Sequence, residues 1–185
     1  IELEAKVYLV PAWSTLASGL TLTGAGKGLS FIDSEAQIAA TGLDAVTMQG
    51  ISFTDVTRIF SLTDSSDLSF LDCEFISNGD ANTGRRAIGL FGCKDVIIRD
   101  CRFQDFQYSI NIKDATIALP SNENFRITIS GCIFENFILH GFPAGINIWA
   151  GQYINISDCH FKDIKSGAPG AYAIYQGDNT INVAR

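Results

Sequence analysis

Apolar residues along this chain alternate in short runs, and the runs repeat. Two spaced apolar positions, a small or acidic pair and then Cys-x-Phe appear as LSFLDCEF (68–75), VIIRDCRF (96–103), ITISGCIF (127–134) and INISDCHF (154–161). VTMQGISF (46–53) is a fifth copy with Ile51 in place of cysteine, and INVAR (181–185) begins a sixth. A second phrase precedes the later copies: IGL (88–90), INI (110–112), INI (146–148) and IYQ (174–176), with a less regular RIFSL at 58–62. Period-2 alternation predicts strands with one buried face. Helical spacing is nowhere sustained, and no convincing cap precedes a long periodic run. Recurrence at about 22 to 31 residues predicts a solenoid in which each unit buries its apolar face against its neighbours.

The repeated phrase contains a break in parity. Ile154 and Ile156 are even while Cys159 and Phe161 are odd, so one alternating strand cannot turn all four inward. A two-residue bend at Ser157-Asp158, and at Leu71-Asp72, Arg99-Asp100 and Ser130-Gly131, restores the alternation; Asp and Gly suit such a bend. Each coil therefore has three strands, with one fixed corner and two variable ones. The polar residues after each Phe (Asp55, Ser77, Asp105, Asn136, Asp163) read as turn formers rather than a carboxylate row. Of five cysteines, Cys73, Cys101, Cys132 and Cys159 share one repeat position and Cys93 stands apart. Stacked positions sit about 4.8 Å apart and bridge poorly, so a ladder of free thiols is expected rather than disulfides or a metal site.

This strand order resembles the right-handed parallel β-helix of the pectate lyase and phage tailspike superfamily, most closely in AIGLFGCKDVIIRDCRF (87–103). The resemblance implies an all-β, single-stranded parallel β-helix of about six to seven coils over residues 20–185. Residues 1–19 are a lead-in and capping segment, with 7–10 a covering strand and LTLTGAGKG (20–28) a first coil and Gly-rich turn; GAGKG lacks the spacing of a phosphate loop.

Composition narrows the partners. The 185 residues carry a formal charge of −7, which argues against nucleic acid, because phosphate contacts need clustered Lys and Arg. No apolar run is long enough to span a bilayer, so membrane insertion is not expected. No basic, apolar leader opens the chain and its last phrase stops midway, which predicts more sequence beyond it.

In the resembled family, ligands lie along the outer face of the first sheet, here the I-x-I strands. Its outward rows are Ser61, Gly89, Asn111, Asn147 and Tyr175, then Thr63, Phe91, Lys113, Trp149 and Gly177. Phe91, Trp149 and Tyr175 beside Asn111, Asn147, Lys113 and Arg86 predict a sugar-binding strip, in which rings stack on pyranose faces and polar groups bond hydroxyls or carboxylates. The alternative is that loops or another subunit cover the rings. For catalysis, Asp64 and Asp114 are two coils apart, roughly 9 to 10 Å, at the wide end of the range for inverting hydrolysis. Asp80 (near Arg85 and Arg86) and His140 are further candidates, whereas His160 points away from this strip. Arg86 occupies the position where pectate lyases carry a calcium-binding Asp, and Cys101 replaces a His of their second sheet, so no metal or other cofactor is expected. The polygalacturonase motif set is missing. The resulting expectation is a polysaccharide-binding or depolymerising domain of tailspike type, extracellular or on a virion surface, with a homotrimer as its assembly. A structural or adhesive module is the second reading, favoured by outward Ile97 and Ile133, and a stand-alone lyase or epimerase the third.

Overall fold

The computed structural model describes residues 1–10, 16–34, 37–55, 58–77, 85–113, 124–137, 143–164, 172–177 and 183–184. These form twenty strands, numbered in chain order, and no helix. Sheet I contains β4 (Ile38–Thr41), β7 (Arg58–Thr63), β10 (Arg86–Phe91), β13 (Tyr108–Lys113), β16 (Ala144–Ile148) and β19 (Tyr172–Gln176). Sheet II contains β2 (Thr21–Thr23), β5 (Asp44–Gln49), β8 (Ser66–Leu71), β11 (Lys94–Arg99), β14 (Phe125–Ser130), β17 (Gln152–Ser157) and β20 (Val183–Ala184). Sheet III contains β1 (Val7–Val10), β3 (Phe31–Ser34), β6 (Ser52–Asp55), β9 (Glu74–Ser77), β12 (Arg102–Gln104), β15 (Ile133–Phe137) and β18 (His160–Ile164). Every pairing is parallel and joins strands one coil apart, so the chain winds as a three-sided parallel solenoid.

Equivalent residues stack into columns. Phe53, Phe75, Phe103, Phe134 and Phe161 form one, with nearly parallel rings and centroids 4.8–5.3 Å apart. Ile32 pairs with Phe53 and extends the column upward; β3 escapes the repeat pattern because Ile32 replaces the phenylalanine. Beside this column, Ile51, Cys73, Cys101, Cys132 and Cys159 follow the bend. The cysteines are free thiols, and all but Cys159 are fully buried. Each donates weakly to carbonyls, as Cys101 Sγ does to Phe70 O at 3.4 Å. Burial pushes the Cys93 and Cys101 thiols above their ordinary pKa.

The bend is a left-handed corner. Gly50, Asp72, Asp100, Gly131 and Asp158 have φ between 51° and 63°, and coil-to-coil hydrogen bonds continue through it, as from Asp72 N to Arg99 O. Asp tolerates this region better than most side chains, and glycine does so without cost. Gly131 is further constrained because a Cβ there would lie 2.4 Å from Asp100 Oδ1. Asp105, Asn136 and Asp163 are also left-handed; Asp105 follows β12, whereas Asn136 and Asp163 lie near the ends of β15 and β18, where they drop out of the pairing register. The Gly-rich turn of residues 24–28 reaches across the bend: Lys27 Nζ contacts Asp72 Oδ1 at 2.7 Å and donates to Asp100 O at 2.8 Å.

Sheet I contains a second parity break, one the repeat phrase does not show. Ile59 and Phe60, Ala87 and Ile88, and Ser109 and Ile110 are consecutive pairs that are all buried. The first member of each drops out of the pairing register, so the residue before it returns to the outer face. Gly145 holds the same position, and a Cβ there would meet the Phe161 ring at 2.7 Å, so packing demands a small residue.

Candidate functional site

Three outward rows cross sheet I. The first is Arg58, Arg86, Tyr108, Ala144 and Tyr172; the second Ser61, Gly89, Asn111, Asn147 and Tyr175. The third begins Thr63, Phe91 and Lys113 and continues one step past the strand ends with Trp149 and Gly177. The two inner columns between them, Ile88/Ile110/Ile146 and Leu90/Ile112/Ile148, are fully buried and hold this backbone flat against the core.

The rows are not evenly open to solvent. Lys113 is exposed and Trp149 is 42% exposed, while Tyr175 and Phe91 are intermediate. Asn111 and Asn147, expected to be accessible in a surface strip, are only 3% and 4% exposed. The two amides form a rung-to-rung bond, Asn147 Nδ2 donating to Asn111 Oδ1 at 2.7 Å. Asn147 Oδ1 is buried and receives no hydrogen bond, an arrangement that costs free energy unless a donor reaches it.

Beyond Asn147 lies an aromatic cluster. Trp149 and Tyr175 have centroids 5.6 Å apart, and Tyr175 and Tyr172 5.2 Å. The six-membered ring of Trp149 rests on Gly177, where a Cβ would come within 2.7 Å of Cε3. Phe91 packs similarly over Gly89, whose added Cβ would meet its Cε2 at 2.9 Å. At the other end of the face Arg86 is half-buried, and its Nε is buried without an acceptor. Burial lowers the guanidinium pKa, and the neighbouring charge of Arg58 acts in the same direction.

The candidate acids and bases do not converge among the described residues. Asp64 is exposed in a left-handed turn at φ 47°. Asp80, Asp114 and His140 lie outside the described residues. His160 is exposed on the outer face of sheet III, paired with Ile133. No group of three or more His, Cys, Asp or Glu among the described residues could hold a metal. A cleft of about 570 Å³ lies elsewhere, at the bend between sheets II and III. Its charges are mutually satisfied: Arg102 pairs with Glu74 at 2.9 Å and with Glu135, and Ser52 Oγ donates to Glu74 Oε2.

The strip read from the repeats omits Arg58, Tyr108, Tyr172 and Asn124. The first three sit ahead of the hidden parity break, where a simple alternation turns them the wrong way. Small residues at 87, 109 and 145 were the available signal. Asn124 is fully buried at the corner. It accepts from Cys93 N at 2.9 Å and donates to Lys113 O at 2.9 Å, tying together coils that carry the third row.

A family model described as right handed beta helix region matches residues 14–142. No curated protein and no solved structure matches the chain.

Proposed function

Since the chain belongs to the right-handed β-helix family, we propose that its function resides on the outer face of sheet I, which binds a polysaccharide laid across successive strands. The observation that carries this reading is the aromatic cluster on this face, the half-exposed indole of Trp149 with Tyr175 beside it at a centroid distance of 5.6 Å and Tyr172 beside Tyr175 at 5.2 Å. A sugar supplies an apolar ring face for the exposed indole and hydroxyls for the phenols beside it. Rigid strands and a packed core hold these groups in place before the ligand arrives, which limits the ordering cost of binding. The setting that suits such a domain is extracellular or on a virion surface, as the recognition part of a tailspike or depolymerase, with a homotrimer as its assembly. The proposal concerns binding; cleavage would need two carboxyl groups about 5 to 9.5 Å apart, and Asp64 is the candidate carboxylate among the described residues.

Glycan-array binding followed by titration tests it. Trp149→Ala and Tyr172→Ala are each expected to weaken binding at least about tenfold, the effect of losing a stacked ring. Binding unchanged in both variants refutes the assignment. A purely structural or adhesive module is favoured by one observation, the 42% exposure of Ile97 on the outer face of sheet II. Cross-linking that buries Ile97 in a stable oligomer, together with no glycan bound, would decide for that reading.

A further inference from the structure

The charges on sheet I indicate which saccharides would fit, an inference that rests on the glycan-binding reading above. The chain holds 20 Asp and Glu against 13 Lys and Arg, so carboxylates are plentiful. On sheets II and III and at the bend, most cations among the described residues are paired: Lys27 with Asp72, Arg99 with Asp100, Arg126 with Asp95, Arg102 with Glu74 and Glu135, and Lys162 with Glu135, with Lys94 the exception. On sheet I the pattern reverses. Arg58, Arg86 and Lys113 have no carboxylate within ion-pair distance among the described residues. Arg58 and Arg86 are direct cross-strand partners, so two like charges stand one rung apart, an arrangement that is unfavourable in the free protein. Arg86 adds a buried Nε without an acceptor.

We propose that sheet I takes an anionic glycan, oriented so that a carboxylate or sulfate group lies over Arg58 and Arg86 while a ring further along the ligand stacks on Trp149 and Tyr175. A guanidinium fork bonds either oxyanion bidentately, and an anion there relieves the repulsion between the two arginines. Lys113, between the two poles in the third row, offers a second, mobile contact. From β7 to β19 there are four inter-strand steps, roughly 19 Å, and a pyranose unit is about as long as one step. The site therefore reads several units, with the acidic one at the β7–β10 end. The remote net charge of −7 is screened at ordinary salt and does not cancel this local pair.

Hexasaccharides of one length make the test: an oligouronate, a sulfated glucan and an uncharged glucan, titrated against the full chain by calorimetry. The expected result is binding of the oligouronate or the sulfated glucan and not of the uncharged glucan, the two anionic arms telling carboxylate from sulfate. Affinity should fall at least about tenfold in Arg86→Gln, the loss expected for a charge-assisted bond. Raising NaCl from about 0.05 M to about 0.5 M should weaken it further. Arg58 is exposed, so Arg58→Gln provides a variant whose folding is not at issue, and the same direction is expected. Binding of the uncharged hexamer equal to that of the charged ones, lost in Trp149→Ala but unmoved in Arg58→Gln, would overturn the anion assignment and leave the glycan reading standing. Binding of none of the three would overturn both.

Discussion

Gly177→Ala isolates the aromatic platform without touching a polar group. Gly177 has a φ outside the left-handed region, so alanine brings no backbone strain, but its Cβ would stand 2.7 Å from Trp149 Cε3 and 2.9 Å from Cζ3. Carbon pairs are comfortable at about 3.5 to 4.0 Å, so the indole must retreat by roughly 1 Å or swing away. The ring is 42% exposed and can move outward without breaking the core. If it gives up roughly 50 Å² of contact, at about 25 cal/mol per Å² the cost is about 1.2 kcal/mol. That is small beside a core deletion, yet the displacement is large for a stacking surface. The assay is Trp149 fluorescence in a Trp13→Phe background, since the chain has two tryptophans, alongside urea unfolding and glycan titration. Emission should shift toward that of a water-exposed indole, stability should fall by about 1 kcal/mol, and glycan affinity should drop along with the Trp149→Ala effect. Unchanged emission and affinity would refute the claim that the ring is seated on Gly177 and that its seat matters for binding.

The remaining predictions concern the scaffold. Phe103→Ala removes a fully buried ring stacked on both sides and is expected to cost about 3 to 5 kcal/mol. Phe161→Ala, at a partly buried position, should cost less; urea midpoints in the reverse order would refute the column. Gly131→Ala combines a φ of 63° with a 2.4 Å approach to Asp100 Oδ1. It should destabilise by about 1 to 2 kcal/mol, and Gly131→Ala with Asp100→Gly should recover part of that loss in a double-mutant cycle. Under native conditions a thiol reagent should modify Cys159 ahead of Cys73, Cys93, Cys101 and Cys132, which are buried; equal rates measured by mass spectrometry would count against the ladder. The hydrogen bond from Arg126, with its charge, holds Asp95 below the ordinary carboxylate pKa. The pairing therefore stabilises the fold above the unfolded-chain pKa of about 4 and is lost as pH falls through the lower folded value. The stability difference between the natural chain and Arg126→Gln should close on acidification, and a gap that stays constant to pH 2 would contradict it.

The repeats alone determine the winding. Period-2 alternation, a fixed Asp or Gly corner and recurring Cys-x-Phe are local signals that every coil restates, so the three-strand coil and the columns of Phe103 and Cys101 are legible without coordinates. The second parity break is not, because Ala87 and Ser109 look like surface residues until a neighbouring coil presses against them. Tertiary structure likewise decided that Asn111 and Asn147 are sealed rather than accessible, that Arg58 and Arg86 stand side by side with no carboxylate among the described residues within ion-pair distance, and that Trp149 lies on Gly177. Each depends on what the adjacent rung contributes, some thirty residues away along the chain. One-dimensional order records the period of a stack; only the stacked molecule records which groups are left without partners.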